Sequence, residues 1–219
     1  MGFILNIETA TKNCSVCLAQ EGEVVVLKEF AGDGYAHAEK LHLFIEESLQ
    51  DACITFKDLN AVAVSKGPGS YTGLRIGVSA AKGLCYALNI PLIAIDTLEV
   101  LARRIRIQDG VIVPMIDARR MEAYTAVYDS AYRKIREIKA EVITESSFSD
   151  IAGSAHLIGD GAVKCRNILS AEKFIYHLEV VYPSAAQMAA SSYDKYKKSD
   201  IVDVAYFEPF YLKDFIAGK

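Results

Sequence analysis

The sequence predicts an α/β fold in two lobes, and three observations predict it. Short apolar runs of strand length alternate with segments of helical periodicity. A pattern of three successive strands with an acidic residue at the first turn occurs twice, carrying Glu8 in one half and Asp117 in the other. Between them lies a fully apolar run, residues 61–64, of the kind found in the middle of a parallel sheet, followed by a glycine-rich turn and a long helix. The repetition reads as an internal duplication of architecture, with 1–108 as the first lobe and 109–219 as a second, reduced one.

The elements follow in order. Residues 3–7 make a short strand, 8–13 a polar turn and 14–19 a second strand, which Glu21-Gly22 turns into a third over 23–30. Gly32-Asp33-Gly34 breaks the chain before a helix over 36–52. There Ala38, Leu41, Phe44, Ile45, Leu49 and Ala52 share one face, and Glu39, Lys40, Glu46 and Glu47 fall off it. After the 61–64 strand, Lys66-Gly67-Pro68-Gly69 turns into a helix that runs to Asn89, with Ser70 or Thr72 as its cap and Pro91 beyond its end. A short strand over 92–95 leads to a helix capped by Asp96-Thr97 and closing with Arg103-Arg104-Ile105-Arg106. Gln108-Asp109-Gly110 marks the lobe boundary.

The second half restarts with strands over 111–116, 122–128 and 134–144. Its tail holds a strand over 155–158, a Gly159-Asp160-Gly161 turn, and helices near 162–169 and 184–196. The aromatic segment 205–212 contains Pro209, which suits an edge or an extended arm.

Composition narrows the function classes. Hydrophobic residues make up 52% of the 219 residues, enough for a sizeable core. A net charge of -4 argues against gripping nucleic acid alone over a broad basic surface. No run approaches the length of a membrane helix, and the first residues lack a basic leader, so a cytoplasmic protein is expected. Asn6 stands where a myristoylation signal needs Ser or Thr. There are five cysteines. Cys14 and Cys17 are three apart on a strand and point to opposite faces, so buried free thiols are expected rather than a disulfide or a metal site.

Glu8, with Thr9 and Thr11, and Asp117 sit at the tips of the first strands of the two lobes. Facing carboxylates in such places can orient Mg²⁺ or a water against phosphates, and equally can cap turns. The stretch from Lys66 matches no phosphate-loop pattern, although Arg75 near a helix start makes an anion contact conceivable. Gly73, Gly77, Ala81 and Cys85 recur every four residues, which favours close approach of another helix over phosphate binding. With Leu41 and Ile45, the Gly73, Gly77 and Ala81 row is the expected docking face, and in isolation a homodimer face. His37 and His42 are about 140° apart around a helix, so they do not pair as metal ligands, and His156 and His177 lack ligand partners nearby. Arg103, Arg104, Arg106, Arg119 and Arg120 form either a local basic patch or the ordinary complement of a helix end and a solvated turn.

Several stretches carry a resemblance. They are Ile4-Leu5-Asn6-Ile7-Glu8-Thr9-Ala10 leading into Cys14-Ser15-Val16, His37-Ala38-Glu39 with Leu41, and Lys66-Gly67-Pro68-Gly69-Ser70-Tyr71-Thr72-Gly73-Leu74-Arg75-Ile76-Gly77. Asp117-Ala118-Arg119-Arg120 and Pro209 with Tyr211-Leu212 complete them. On these the sequence resembles the bacterial YeaZ/TsaB family over nearly the whole chain, most loosely over 144–198. The resemblance implies two ribonuclease-H-like lobes of the actin-like ATPase fold shared by sugar kinases, Hsp70 and actin. It implies a non-catalytic subunit in the making of threonylcarbamoyladenosine (t6A) in tRNA. Such a subunit binds a catalytic TsaD-like paralogue, joined by a small TsaE-like P-loop ATPase, and meets tRNA through the complex. Arg75, Arg119 and Arg120 are then candidate tRNA or anion contacts.

The family's older glycoprotease label leaves a nucleotide-dependent phosphotransferase or an M22-type metallopeptidase as the alternative. The catalytic paralogue carries paired metal-binding histidines on its first long helix. His37 and His42 do not reproduce that pairing, so no metal and no independent activity are expected. The family usually has Asp where this chain has Glu8, and Gly159-Asp160-Gly161 stands where nucleotide-binding members carry a double glycine. Both imply no cofactor held tightly by this chain alone, with ATP or ADP and Mg entering only in the complex.

Overall fold

The computed structural model describes residues 2–32 and 36–213. The first lobe opens on an antiparallel meander of β1 (Phe3–Glu8), β2 (Asn13–Gln20) and β3 (Glu23–Ala31). Then come α1 (Ala36–Asp51), β4 (Leu59–Ser65), α2 (Tyr71–Leu88), β5 (Leu92–Ile95) and α3 (Thr97–Ala102). β4 and β5 add in parallel, so the sheet order is β3-β2-β1-β4-β5. The second lobe repeats this with β6 (Val111–Asp117), β7 (Glu122–Tyr128), β8 (Lys134–Val142), β9 (Ala155–Ile158) and β10 (Phe174–His177), ordered β10-β9-β6-β7-β8. The expected duplication is therefore a duplication of topology. The second copy is the reduced one: turns connect β8 to β9 where the first lobe has the 16-residue α1.

Alternation sorts the first sheet's residues between two cores. Leu5, Ile7, Cys14, Val16, Leu18, Val62 and Val64 face α1 and α2. Ile4, Cys17, Ala19, Ala61, Ala63 and Ile93 face the other way. Cys14 and Cys17 thus lie on opposite faces, as their spacing requires, and burial pushes their thiols up to about 11 and about 12.

The second face is covered from the far end of the chain. The short helix Ala185–Met188 and α4 (Ala189–Lys197) place Ala185, Met188 and Ala189 on Ile4, Ala61 and Ile93. The 108/109 boundary therefore separates the two sheets but not the chain's two halves, because the segment from 184 onward returns to the first lobe. Beyond it, Val202 bridges Leu92, and a strap over 205–213 runs along α2. Lys82 Nζ donates to the carbonyls of Ala205 (3.2 Å) and Phe207 (2.9 Å), and the Phe210 N–H donates to the Lys66 carbonyl at 2.7 Å. The extended arm expected from Pro209 is this strap.

Strand β10 has no counterpart in the sequence reading. Phe174-Ile175-Tyr176-His177 is too short to show a period, and its only signal is a β-branched and aromatic run. Among the described residues, no helix is long and apolar enough to cross a membrane.

Candidate functional site

The chemistry expected at the tips of β1 and β6 begins with Glu8. It ends β1, one step beyond the Ile7–Val64 pair with β4, and sits opposite Ser15 on β2. It is fully buried. Oε1 accepts from the Ala10 N–H at 2.6 Å, and Oε2 is buried without a hydrogen-bond partner. The hydroxyl of Ser65 is buried beside it, equally unsatisfied. Burial pushes the Glu8 carboxyl up to about 7, against the pull of the Ala10 N–H and the Ser65 hydroxyl. The cover is the chain's own: the Ala185 N–H donates to Ser15 Oγ at 3.0 Å, and Asn13 Nδ2 to the Pro183 carbonyl at 2.9 Å.

Thr9 and Thr11 are buried too. Thr9 Oγ1 donates to the Gly73 carbonyl at 2.8 Å, which ties the β1–β2 turn to the first turn of α2, and Thr11 Oγ1 accepts from the Asn13 N–H at 3.4 Å. On the second lobe, the Asp117 carboxylate is paired with Lys164 and accepts from the Arg119 N–H at 2.8 Å. Asp160, the middle of Gly159-Asp160-Gly161, accepts from the Asp117 N–H at 2.9 Å, and burial raises its carboxyl above the usual range.

Mg²⁺ with a nucleotide requires hydrated, exposed carboxylate oxygens. Glu8 offers none, Thr9 and Thr11 are buried in internal bonds, and the exposed Asp117 carboxylate is shared with Lys164. Of the four positions expected to contact a cofactor, Glu8, Thr9 and Thr11 are buried in the β1–β2 turn and Asp117 is an exposed carboxylate beside Lys164. Among the described residues, no three His, Cys, Asp or Glu side chains converge as metal ligands.

The expected docking residues are corrected. Leu41 and Ile45 lie in the core between α1 and the first sheet. The small-residue row of α2 is spent inside the chain: a Cβ at Gly73 would collide with the Thr9 carbonyl oxygen, and one at Gly77 with Thr9 Oγ1. The close approach that these glycines permit is to the β1–β2 turn, and Ala81 is buried in the same core. Ser70 is the cap, accepting from the Gly73 N–H at 3.3 Å.

Another face of the same two helices is open. Ala38 and His42 of α1 and Ile76, Ser79, Ala80, Gly83 and Leu84 of α2 line a shallow groove. A Cβ at Gly83 would meet nothing within 4 Å. A glycine inside a helix with no internal neighbour to spare was the sequence signal for this face, and the regular row at 73, 77 and 81 overshadowed it.

Arg75, Arg119 and Arg120 are all exposed. Arg75 lies over the Tyr71 ring at 4.3 Å and donates from Nε to the Tyr211 hydroxyl at 3.3 Å. Arg119 and Arg120 make the β6–β7 turn with φ of 68° and 50°.

Comparison with known proteins places this geometry. The family model described as TsaD, tRNA N6-adenosine threonylcarbamoyltransferase, matches residues 34–207. The Escherichia coli K12 protein named tRNA threonylcarbamoyladenosine biosynthesis protein TsaB is 29% identical over 226 residues, covering 99% of this chain and 96% of that one. The structure of YeaZ from Pseudomonas aeruginosa superimposes with a TM-score of 0.85 at 24% identity, covering 97% of this chain and 100% of that one. The fold extends to a Clostridium difficile activator of 2-hydroxyisocaproyl-CoA dehydratase with bound ADPNP, at a TM-score of 0.51 and 11% identity over 90% of this chain and 97% of that one. With two lobes of one topology and a family match over most of its length, the chain belongs to the TsaB/YeaZ family within the TsaD-like proteins of the actin-like ATPase fold.

Proposed function

We propose that this chain is a non-catalytic subunit in t6A modification of tRNA, and that it docks a catalytic TsaD-like paralogue through the groove between α1 and α2. A relative along its whole length carries the t6A biosynthesis name. The observation that carries the docking reading is Gly83 facing open space beside Ile76, Ala80 and Leu84, while Glu8 and Asp117 are internally committed. An apolar face of small residues lets a second helix pair approach closely, and leaving it wet is costly. The same groove would mediate a homodimer when the partner is absent. A small TsaE-like ATPase and tRNA join through the assembled complex, which is where ATP or ADP belongs. Phosphotransfer or peptidase activity by this chain has no comparable support, because its candidate carboxylates serve turns.

Gly83→Arg tests the proposal. The new side chain enters open space, and a helix-interior glycine is replaced by a better helix former, so the fold should gain up to about 1 kcal/mol. Co-purification with the TsaD-like paralogue should be lost, and a modification assay should fall to the level seen without this chain. Intact co-purification of the well-folded variant would refute docking at this groove.

A further inference from the structure

The boundary between the lobes is crossed on the outside by a cluster of tyrosines and cations. Tyr71 and Arg75 stand one turn apart on α2. The strap lays Tyr211 against them, its ring centroid 4.9 Å from that of Tyr71 at an interplanar angle of 39°. Two residues on, Lys213 pairs with Glu122 at the start of β7. That contact carries the strap onto the second lobe, where Lys213, Glu122 and Arg119 all lie within electrostatic reach of the Tyr124 hydroxyl. Arg119 and Arg120 project from the adjoining turn, both exposed.

The charges in this cluster are not balanced. Among the described residues no carboxylate pairs with Arg75, Arg119 or Arg120. The nearby acids are taken, Asp117 by Lys164 and Glu122 by Lys213. Tyr211 keeps 37% of its surface exposed although the strap holds its backbone close to α2. A ring that is fixed and still accessible, flanked by guanidiniums that no carboxylate neutralises, suits a ligand with both a π-face and phosphates. A duplex hides its base faces within the stack, whereas a single-stranded loop offers them.

We propose that the Tyr71–Arg75–Tyr211 stack and the Arg119–Arg120 turn form a binding site for single-stranded RNA, a base stacking on the tyrosines and the flanking phosphates meeting the arginines. The site rests on the tRNA-modification reading in one respect: the RNA it meets there is a tRNA loop. It lies apart from the α1–α2 groove, so this chain would hold its partner with one face and the substrate with another.

Fluorescence anisotropy of the full chain at low salt tests it, using a labelled RNA hairpin with a single-stranded loop against a blunt RNA duplex with the same number of phosphates. The hairpin is expected to bind about tenfold more tightly, on the scale of one stacked base. The double substitution Arg119→Asn with Arg120→Gly suits the positive φ of the turn. It should weaken hairpin binding and reduce the salt slope by about 0.7 per lost phosphate contact. Tyr211→Ala should weaken binding about tenfold and leave the slope unchanged, while Tyr211→Phe keeps the ring and retains binding. Equal affinity for hairpin and duplex, or unchanged binding by these variants, would overturn the site. So would variants that lose co-purification with the paralogue but bind RNA normally, which would make the cluster a protein contact. Gly83→Arg separates the two readings, since it should lose assembly and keep RNA binding.

Discussion

A single methylene and a hydroxyl set the character of Glu8. Its carboxyl fills the space at the end of β1, with one oxygen on the Ala10 N–H and the other beside Ser65 Oγ. A proton on Oε2 removes the buried charge, whose desolvation is the largest influence on this carboxyl. Because the folded value, about 7, exceeds the reference value of 4.5, the folded state holds this proton more tightly. The contribution to stability is full below pH 4.5 and is lost as pH rises through about 7, a span on the order of 3 kcal/mol. Glu8→Gln keeps the shape without the charge. Its stability relative to the parent should therefore rise between pH 5 and pH 8 in urea melts, and a difference that stays constant would mean that Glu8 is ionised throughout. Gly73 is the second decisive residue. Gly73→Ala drives a methyl into the Thr9 carbonyl and should cost about 1–3 kcal/mol in the same melts, a clash that outweighs the up to about 1 kcal/mol alanine gains in helix propensity. The sequence displayed both residues plainly. It marked Glu8 as a strand-tip carboxylate and Gly73 as part of a packing row, but it did not show what each packs against, since Thr9 lies 64 residues from Gly73 along the chain.

At the scale of elements, α2 works in three directions at once. One face takes the β1–β2 turn and the core, a second lines the open groove with α1, and its first turn with Lys82 receives the strap. Periodicity showed the small-residue face but not its neighbour, because a helical wheel separates small from large residues without saying which face meets the chain itself. The strap is bound mainly by backbone: the Phe210 N–H to the Lys66 carbonyl, and two carbonyls to Lys82. A chain ending at Val204 should keep both sheets, as read by circular dichroism. It should lose about 3 kcal/mol, in line with about 1 kcal/mol for each of the three net hydrogen bonds. A loss of secondary structure would show that the strap is part of the folding core.

For the whole molecule, the lobes are not independent beads. The segment from 184 to 197 covers the apolar face made by Ile4, Ala61 and Ile93, and salt bridges from Asp96 to Lys66 and Lys134 tie the start of α3 to both sheets. A fragment of residues 1–108 would leave that face wet. Expressed alone it should aggregate, and supplying residues 184–219 in trans should restore solubility. A soluble, monomeric 1–108 fragment with a cooperative melt would show that the first lobe folds without its tail.

The duplicated meander, the strand-tip carboxylates and the family itself were accessible from the chain, since each depends on local patterns: period, turn residues and short motifs. The uses of those features were decided by contacts between residues far apart in sequence. Glu8 is buried with one oxygen on the Ala10 N–H, and Gly73 and Gly77 pack against Thr9. The face left open is the one around Gly83, because that glycine alone among the three on α2 has empty space where a side chain would stand.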